Sequence, residues 1–430
     1  KMLYDNALLA AAYVEAYEAT GDERWAGIVR ETLDYLDRDM SAPEGGFHSA
    51  TDAEAIGHEG DPYVWTPARM TAALGPVDGP LVARYWGVTP GGNFEGGRTV
   101  LHVPMPSDKF AAANGMTPEV WRARLVAAKA KLLAARRERP QPLMDTKVLA
   151  AWNGLAVSAF ARAGRALAEP RYAARAGRAM DFLLTRLAGP KGLGRSWSEG
   201  RASHAGTLED YAFVIAGLLD LFEADPRPRW IEAARTLQRE QDARFGDPAA
   251  GGYFMAAAGT PGLIARGKPW ADYALPSGNS VSALNLLRLA EWTADDAYGA
   301  RARALLTAFG SELGRSPTEA PWLAAALDFQ LDRPKEILIL RPRAPKGKDD
   351  DARAAAMARA LAEAFLPNAV VLTTREGPAL ASLRPSVAWL EGKRAIGART
   401  TAYVCERHVC ELPTSDPARF AAQIAKVDPL

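Results

Sequence analysis

Carboxylates are the groups whose placement in this sequence most suggests chemistry. Glu209 and Asp210 stand side by side at the start of an apolar run, TLEDYAF. Asp272 precedes the segment PSGNSVSA, and Asp5, Asp52, Glu54, Glu95 and Asp145 lie in other short polar motifs. Glycoside hydrolysis needs two such acids flanking a sugar, one as proton donor and one as base or nucleophile. Glu209, Asp210, Asp272 and Asp52 are therefore the catalytic candidates. Each has a structural reading as well. Thr207-Leu208-Glu209-Asp210 fits a capping box, in which Asp210 reaches back to the chain before its own helix. Asp145 and Ser277 fit helix N-caps. The cap accounts for Asp210 and leaves Glu209 over, because neighbours on a helix point about 100° apart.

Other groups add binding candidates. Trp65, Trp152, Tyr211, Tyr4, Trp270 and Tyr273 lie in or beside the same motifs, where sugars could stack on them or the rings could pack a core. Arg266 and Lys268 offer a cationic loop or a solvated one, and Lys147 could pair with Asp145. Of the five histidines, none is placed in the middle of a helix. Cys405-x-x-His408-x-Cys410 supplies three zinc-type ligands where a structural site uses four. The two cysteines read as packing thiols, with a reversible disulfide as the alternative. No metal and no cofactor are expected, since no phosphate-binding or dinucleotide motif occurs.

These residues need elements to hold them, and the chain repeats itself. Four stretches align, beginning YDNALLAAAY, AWNGLAVSAF, EDYAFVIAGL and SGNSVSALNL. Each is an apolar helix, a short turn, an aromatic residue and a second helix. Asn6 to Trp25, Asn153 to Tyr172 and Asn279 to Tyr298 are each 19 residues apart, and Asp210 to Trp230 is 20. Three repeats leave through glycine-rich exits, Gly45-Gly46-Phe47, Gly192-Leu193-Gly194 and Gly251-Gly252-Tyr253. Leu208, Tyr211, Ala212, Ile215, Leu219 and Phe222 keep the helical period. First helices poor in charge are expected to be buried all round, and second helices half exposed. That is a two-layered stack of hairpins, an all-α (α/α)6 toroid or an open solenoid. Helices over 67–74, 118–137 and 318–331 bring the expected count to about eleven. Parallel first helices would carry Asn6, Asn153, Asp210 and Asn279 to one mouth. Asp5, Asn6, Trp65, Glu95, Asp145, Lys147, Trp152, Asn153, Tyr211, Ser277 and Asn279 are the expected binding residues there.

After residue 334 the period changes. KEILILRP (335–342), NAVVLTT (368–374) and TAYVCERHVCELP (401–413) read as strands, with helices over 349–366 and 416–427. The expected domains are 1–334, the barrel; 335–413, a small α/β appendage; and 414–430, a terminal helix packing back on the barrel. With 430 residues, a net charge of +1 and 48% hydrophobic residues, the chain has no global field for nucleic acid and no apolar run long enough to span a membrane. Two cysteines suit a reducing cytoplasm. The start Lys1-Met2-Leu3 is not a natural one, so the chain is expected to be a fragment.

The motifs KMLYDNALL, GGFHSATDAE, YVWT, NFEG, DTKVLAAWNGL, LEDYAF and PSGNSVSA resemble, in that order, the thioredoxin domain-containing proteins of the bacterial YyaL type, which include the animal spermatogenesis-associated thioredoxin-like protein. The resemblance covers almost the whole chain. It implies a six-hairpin barrel similar to N-acylglucosamine 2-epimerases and six-hairpin glycosidases, and an N-terminal thioredoxin-like domain that this chain lacks. The chain departs from the family at Asp52-Ala53-Glu54-Ala55-Ile56-Gly57, where one carboxylate is lost or moved. Epimerases of this kind keep their acid–base histidines on inner helices, so His48, His58, His102, His204 and His408 do not match them. The expected function is a carbohydrate-active hydrolase or isomerase using mouth carboxylates on a sugar-like molecule. The alternative is a non-catalytic binding or scaffold module working with the missing domain.

Overall fold

The computed structural model describes residues 1–55, 58–344 and 349–426. The chain forms two compact units, one of Ala50–Asp145 with Lys1, the other of Met2–Ser49 and the chain from Thr146 onward. Helix α1 (Leu3–Thr20) and α2 (Glu23–Asp39) make the first hairpin. Gly21 turns it in the left-handed region (φ 65°), and Asp22 caps α2 by accepting from the Arg24 amide at 2.9 Å.

The smaller unit holds α3 (Pro67–Tyr85), α4 (Ser107–Ala113) and α5 (Pro118–Arg137). Thr66 and Thr117 cap α3 and α5, each followed by a proline that suits the first helical position. Gly75, at φ 86°, breaks α3 next to Pro76, so its regular first part ends at 74 as the sequence predicts. The helices expected at 67–74 and 118–137 are thus present and belong to the smaller unit. Trp65, Met70, Trp86, Phe110 and Trp121 pack together into a core of their own. The expected 1–334 barrel is therefore interrupted: residues 50–145 bury their aromatics among themselves.

In the larger unit the hairpins continue with α6 (Ala150–Ala166) and α7 (Pro170–Phe182), α8 (Leu208–Ala224) and α9 (Pro228–Phe245), and α10 (Gly278–Thr293) and α11 (Asp296–Ala308). The short α12 (Gly310–Arg315) leads to α13 (Pro321–Leu331). The inner row is α1, α6, α8, α10 and α13, each packed on the next. All six residues of the predicted Leu208–Phe222 stripe are buried. The inner helices run parallel. Tyr4 meets Trp152 edge-on near the start of α1 and α6, and Glu15 and Glu18 meet Arg162 and Arg165 further along. Gly154 and Gly217 let α6 and α8 touch backbone to backbone: a Cβ at Gly154 would lie 2.5 Å from the Phe213 carbonyl. The outer helices are tied by ion pairs such as Arg171–Asp34 and Arg175–Asp37.

Between α7 and α8 a hairpin of β1 (Gly192–Ser198) and β2 (Arg201–Ala205) projects. The C-terminal part is a four-stranded sheet of β3 (Lys335–Arg341), β4 (Ala369–Arg375), β5 (Thr401–Glu406) and β6 (Val409–Cys410), in the order β4-β3-β5-β6. Only the β3–β4 pair is parallel, joined by α14 (Asp350–Ala362) as a crossover must be. α15 (Pro378–Leu383) follows β4, and α16 (Pro417–Ala425) ends the described chain. Along β3 the side chains alternate: Ile337 and Ile339 face α14 and α16, while Leu338 and Leu340 join the hairpin core. The terminal helix corrects an expectation. Phe420 and Ile424 of α16 pack on the sheet with Ile337 and Met357, so α16 belongs to the appendage and not to the barrel. Residues 56 and 57, in the departing loop, lie outside the described residues, as does position 427 of the predicted last helix.

Candidate functional site on the inner helices

Asn6, Asn153, Asp210 and Asn279 lie in the first turns of the parallel inner helices, and three of the four fasten other segments. Asn153 is fully buried. Its Oδ1 accepts from the Phe47 amide at 2.7 Å, and its Nδ2 donates to the Phe47 carbonyl at 3.0 Å and the Leu149 carbonyl at 2.9 Å. Asn279 repeats the clasp on Tyr253, at 2.8 Å to both amide and carbonyl, with a further bond to the Pro269 carbonyl. Phe47 and Tyr253 are the aromatics of the glycine-rich exits. In the second and fourth hairpins an amide side chain therefore locks the preceding exit in place. Asn6 makes only the local bond, donating to the Met2 carbonyl at 2.7 Å.

Three of the acids are similarly occupied. Asp210, 1% exposed, accepts from the Thr207 amide and hydroxyl at 2.8 and 3.0 Å, completing the capping box, and from the Ala151 amide at 3.2 Å. Arg195 lies 3.3 Å away. Burial pushes its carboxyl up, against these hydrogen bonds. Asp272 accepts from the Ser277 amide and the Ser280 hydroxyl on one oxygen and from the Trp322 amide on the other, joining the starts of α10 and α13. Asp52 turns on its own chain, accepting from the Ala53 amide at 2.6 Å. Ser277 caps α10, and Tyr211, buried, donates to Glu240 and accepts from the Leu193 amide.

Glu209 is different. It is half-buried in the first turn of α8, and among the described residues no hydrogen bond or ion pair holds its carboxylate. Burial, then the neighbouring Asp210 charge, raises its pKa, while Arg195 opposes. The Ala151–Asp210 bond sets the start of α6 against the start of α8, so the two residues next to that bond, Trp152 and Glu209, share this end of the helices. Trp152 stacks edge-on with Tyr4 at 4.8 Å between ring centres. Asp5, exposed in the first turn of α1, is also without a hydrogen bond.

Trp65, Glu95, Asp52 and Asp145 belong to the smaller unit. There Trp65 is buried under the Arg139 guanidinium, 3.9 Å from its ring centre, and Glu95 is exposed in a turn. Lys147 is exposed. Lys268 is bound to Asp247 at 2.6 Å, and Arg266 lies over Phe254. His48 lies 3.1 Å from the Thr146 carbonyl.

Deeper on the inner helices is a set of charges the sequence reading overlooked. Arg162 pairs with Glu15 at 2.6 Å and Arg165 with Glu18 at 3.0 Å, both between α6 and α1. Arg288 of α10 reaches Asp220 at 2.9 Å and Glu223 at 2.8 Å on α8, and the Ser158 hydroxyl donates to Asp220. Signs alternate from helix to helix, so each charge faces an opposite one, with Arg288 answering two acids. The signal was available: Glu15, Arg162 and Arg288 each stand nine residues after the repeat asparagine, and Asp220 stands ten after Asp210. Two hollows lie elsewhere. One, of about 760 Å³, lies beside the Gly251–Gly252 turn, and one of about 330 Å³ lies near Leu313; neither is lined by Glu209 or this charge ladder.

An inner row of parallel helices backed by an outer row is the architecture of (α/α)6-barrel proteins, and the chain has that all-α-dominant fold with small sheets added. Solved structures of similar fold include a sugar epimerase from a ruminal bacterium (10% identity, TM-score 0.40, covering 77% of this chain and 59% of that one), a GH76 alpha-mannanase from Bacteroides thetaiotaomicron (12%, 0.40, 73% and 62%) and a D-mannose isomerase (13%, 0.39, 72% and 76%). No family model matches. The chain's homologues are the spermatogenesis-associated proteins 20, which it matches in part: 35% identity to the human protein over 455 residues, 98% of this chain and 57% of that protein, with the same figures for the mouse protein. An uncharacterised Caenorhabditis elegans protein is 25% identical over 96% of the chain and 59% of its own length. The chain thus spans little more than half the length of these curated relatives. Among the described residues no helix is long and apolar enough to cross a membrane.

Proposed function

We propose that the chain is the barrel part of a carbohydrate-active enzyme, a hydrolase or isomerase, that transfers a proton through Glu209 at the helix-start end of its inner face. The observation that carries this reading is the contrast at one helix start. Asp210 is consumed by four hydrogen-bonding and ionic partners, while Glu209 beside it is unheld, half-buried and raised in pKa. A raised carboxyl can hold a proton nearer neutral pH and release it to a glycosidic or carbonyl oxygen. Trp152 and Tyr4 supply an aromatic wall of the kind that takes a sugar ring. Asp5, the other unheld acid of the helix starts, is the partner carboxylate in a hydrolase, and the separation of the two acids would decide retention or inversion. Asp210 and Asp272 act by positioning.

Assays of the chain and of a full-length relative on a panel of glycans and free sugars test this. Glu209→Gln is expected to lower turnover by about a hundredfold or more. Unchanged turnover and unchanged ligand affinity in a folded Glu209→Gln protein would sink it. The second reading, a non-catalytic binding or scaffold module serving a thioredoxin-like domain, is supported by how much rim polarity is spent on fastening. It predicts no turnover in wild type and a folding defect in Asn153→Ala.

A further inference from the structure

We propose that Cys405 and Cys410 form a thiol–disulfide exchange site on the sheet appendage, in which an external thiol attacks Cys410 and Lys393 receives the displaced Cys405 thiolate. The structure corrects the packing-thiol reading first. The β5–β6 register sets Cys405 opposite Cys410, and the two are joined by a disulfide. Arg407 and His408, both at positive φ, make the tight turn between them.

The two sulfurs are unequal. Cys405 is 1% exposed, on a strand paired on both sides, whereas Cys410 is exposed on the edge strand. An incoming thiol therefore reaches Cys410. The buried Lys393 places its Nζ 3.2 Å from Cys405 Sγ and 2.8 Å from Cys410 Sγ, with the ammonium 4.7 Å from the Tyr403 ring centre. Burying an ammonium is costly without a counter-charge. The acid that acts on Lys393 is Glu336, fully buried, which takes the His408 amide at 3.2 Å and lies 2.5 Å from His408 Nδ1. Burial pushes the Glu336 carboxyl up, and burial together with the Glu336 charge pushes up that of Glu291 on α10. A carboxyl raised by burial carries its charge less readily, so Glu336 compensates the ammonium only in part while the disulfide is closed. Arg407 adds positive charge at the turn, and Lys335 and Glu406 neutralise each other at 2.8 Å. A Cys405 thiolate supplies the missing negative charge. As a cross-link the bridge does little, because a sequence separation of five closes a short loop and constrains little of the unfolded chain.

The exchange balances as follows. A thiolate attacks Cys410 Sγ, the S–S bond breaks, and its electron pair passes to Cys405 Sγ beside Lys393, leaving a mixed disulfide on Cys410. A second thiolate attacks the outer sulfur of that mixed disulfide and releases Cys410 as a thiolate, which takes a proton from solvent. Two thiols become one disulfide, and the protein disulfide becomes a dithiol. Run backwards, the site oxidises two thiols of a client molecule.

The test uses the oxidised full chain and glutathione, quenched with an alkylating agent and mapped by peptide mass. Glutathione is expected on Cys410 and the alkyl group on Cys405. Lys393→Met is expected to slow reduction by about tenfold and to raise the alkylation midpoint of Cys405 by about one pH unit. Lys393→Arg keeps the charge and should keep most of the rate, which separates lost charge from lost packing. Glutathione on Cys405, equal slowing in the Met and Arg variants, or two free thiols after equilibration with oxidised glutathione overturns the proposal.

Discussion

At the rim of the hairpin array, polar side chains are spent on backbone groups; further along the same helices, charged side chains, from the exposed Glu15 to the partly buried Arg288, are spent on one another. Asn153, Asn279, Asp210 and Asp272 each bind main-chain amides or carbonyls of another segment. Glu15, Arg162, Asp220, Glu223 and Arg288 instead form ion pairs across helix boundaries. The first arrangement fixes where a hairpin ends and the next begins. The second lets charge sit where the fold buries apolar surface, provided every sign is answered. Glu209 belongs to neither group, which is why it stands out as a group available for chemistry.

The sharpest way to break this contrast is Arg288→Met. It strands Asp220 and Glu223 without their cation and is expected to cost about 3–5 kcal/mol in urea unfolding. If the cost is near zero, the inner-face charges are solvated and the ladder is no structural device. Asn279→Ala should come next, at about 2–4 kcal/mol, because it leaves the buried Tyr253 amide and carbonyl without partners. Asn279→Asp sharpens the point. It keeps the acceptor and loses the donor, so it should fall between wild type and Ala. Gly154→Ala is expected to cost about 1–3 kcal/mol by forcing α6 off the Phe213 backbone, measured as a lowered unfolding midpoint.

Glu209→Gln should be the smallest effect on stability, within about 0.5 kcal/mol, and its size depends on pH. The folded pKa of Glu209 is raised, so its protonated form is the one the native state favours. That contribution is full below the unfolded pKa and is lost as pH rises through the folded value. The Gln variant should therefore match wild type at about pH 4 and be the more stable at about pH 8. A difference that grows toward acid pH would contradict burial as the cause of the shift.

How far the sequence reveals this depends on the range of the interaction. The hairpins, the stripe from Leu208 to Phe222 and the Thr207–Asp210 box are set by spacing within one segment, and they read directly. The equivalence of Asn6, Asn153 and Asn279 also reads directly, but the task of the buried pair does not. Their partners are main-chain groups of Phe47 and Tyr253, which carry no side-chain signature. Trp65 and Trp121 look like any barrel aromatics until their contacts show a separate core. The ladder was present as a nine-residue interval and went unread because charges on apolar helices suggest an exposed face. The disulfide reads only as the alternative to packing thiols because two cysteines in a chain of this size argue against cross-linking in general, while the strand register that joins these two is local.

The asparagine clasp has a wider consequence. It grips only main-chain atoms, so it is blind to which aromatic follows the two glycines. Two of the hairpins are thereby fastened to the exit before them by the same coupling, like carriages in a train. Side chains within a hairpin can drift through evolution, and whole hairpins can be exchanged, without disturbing the alignment of the helix starts on which any working groups at the rim depend.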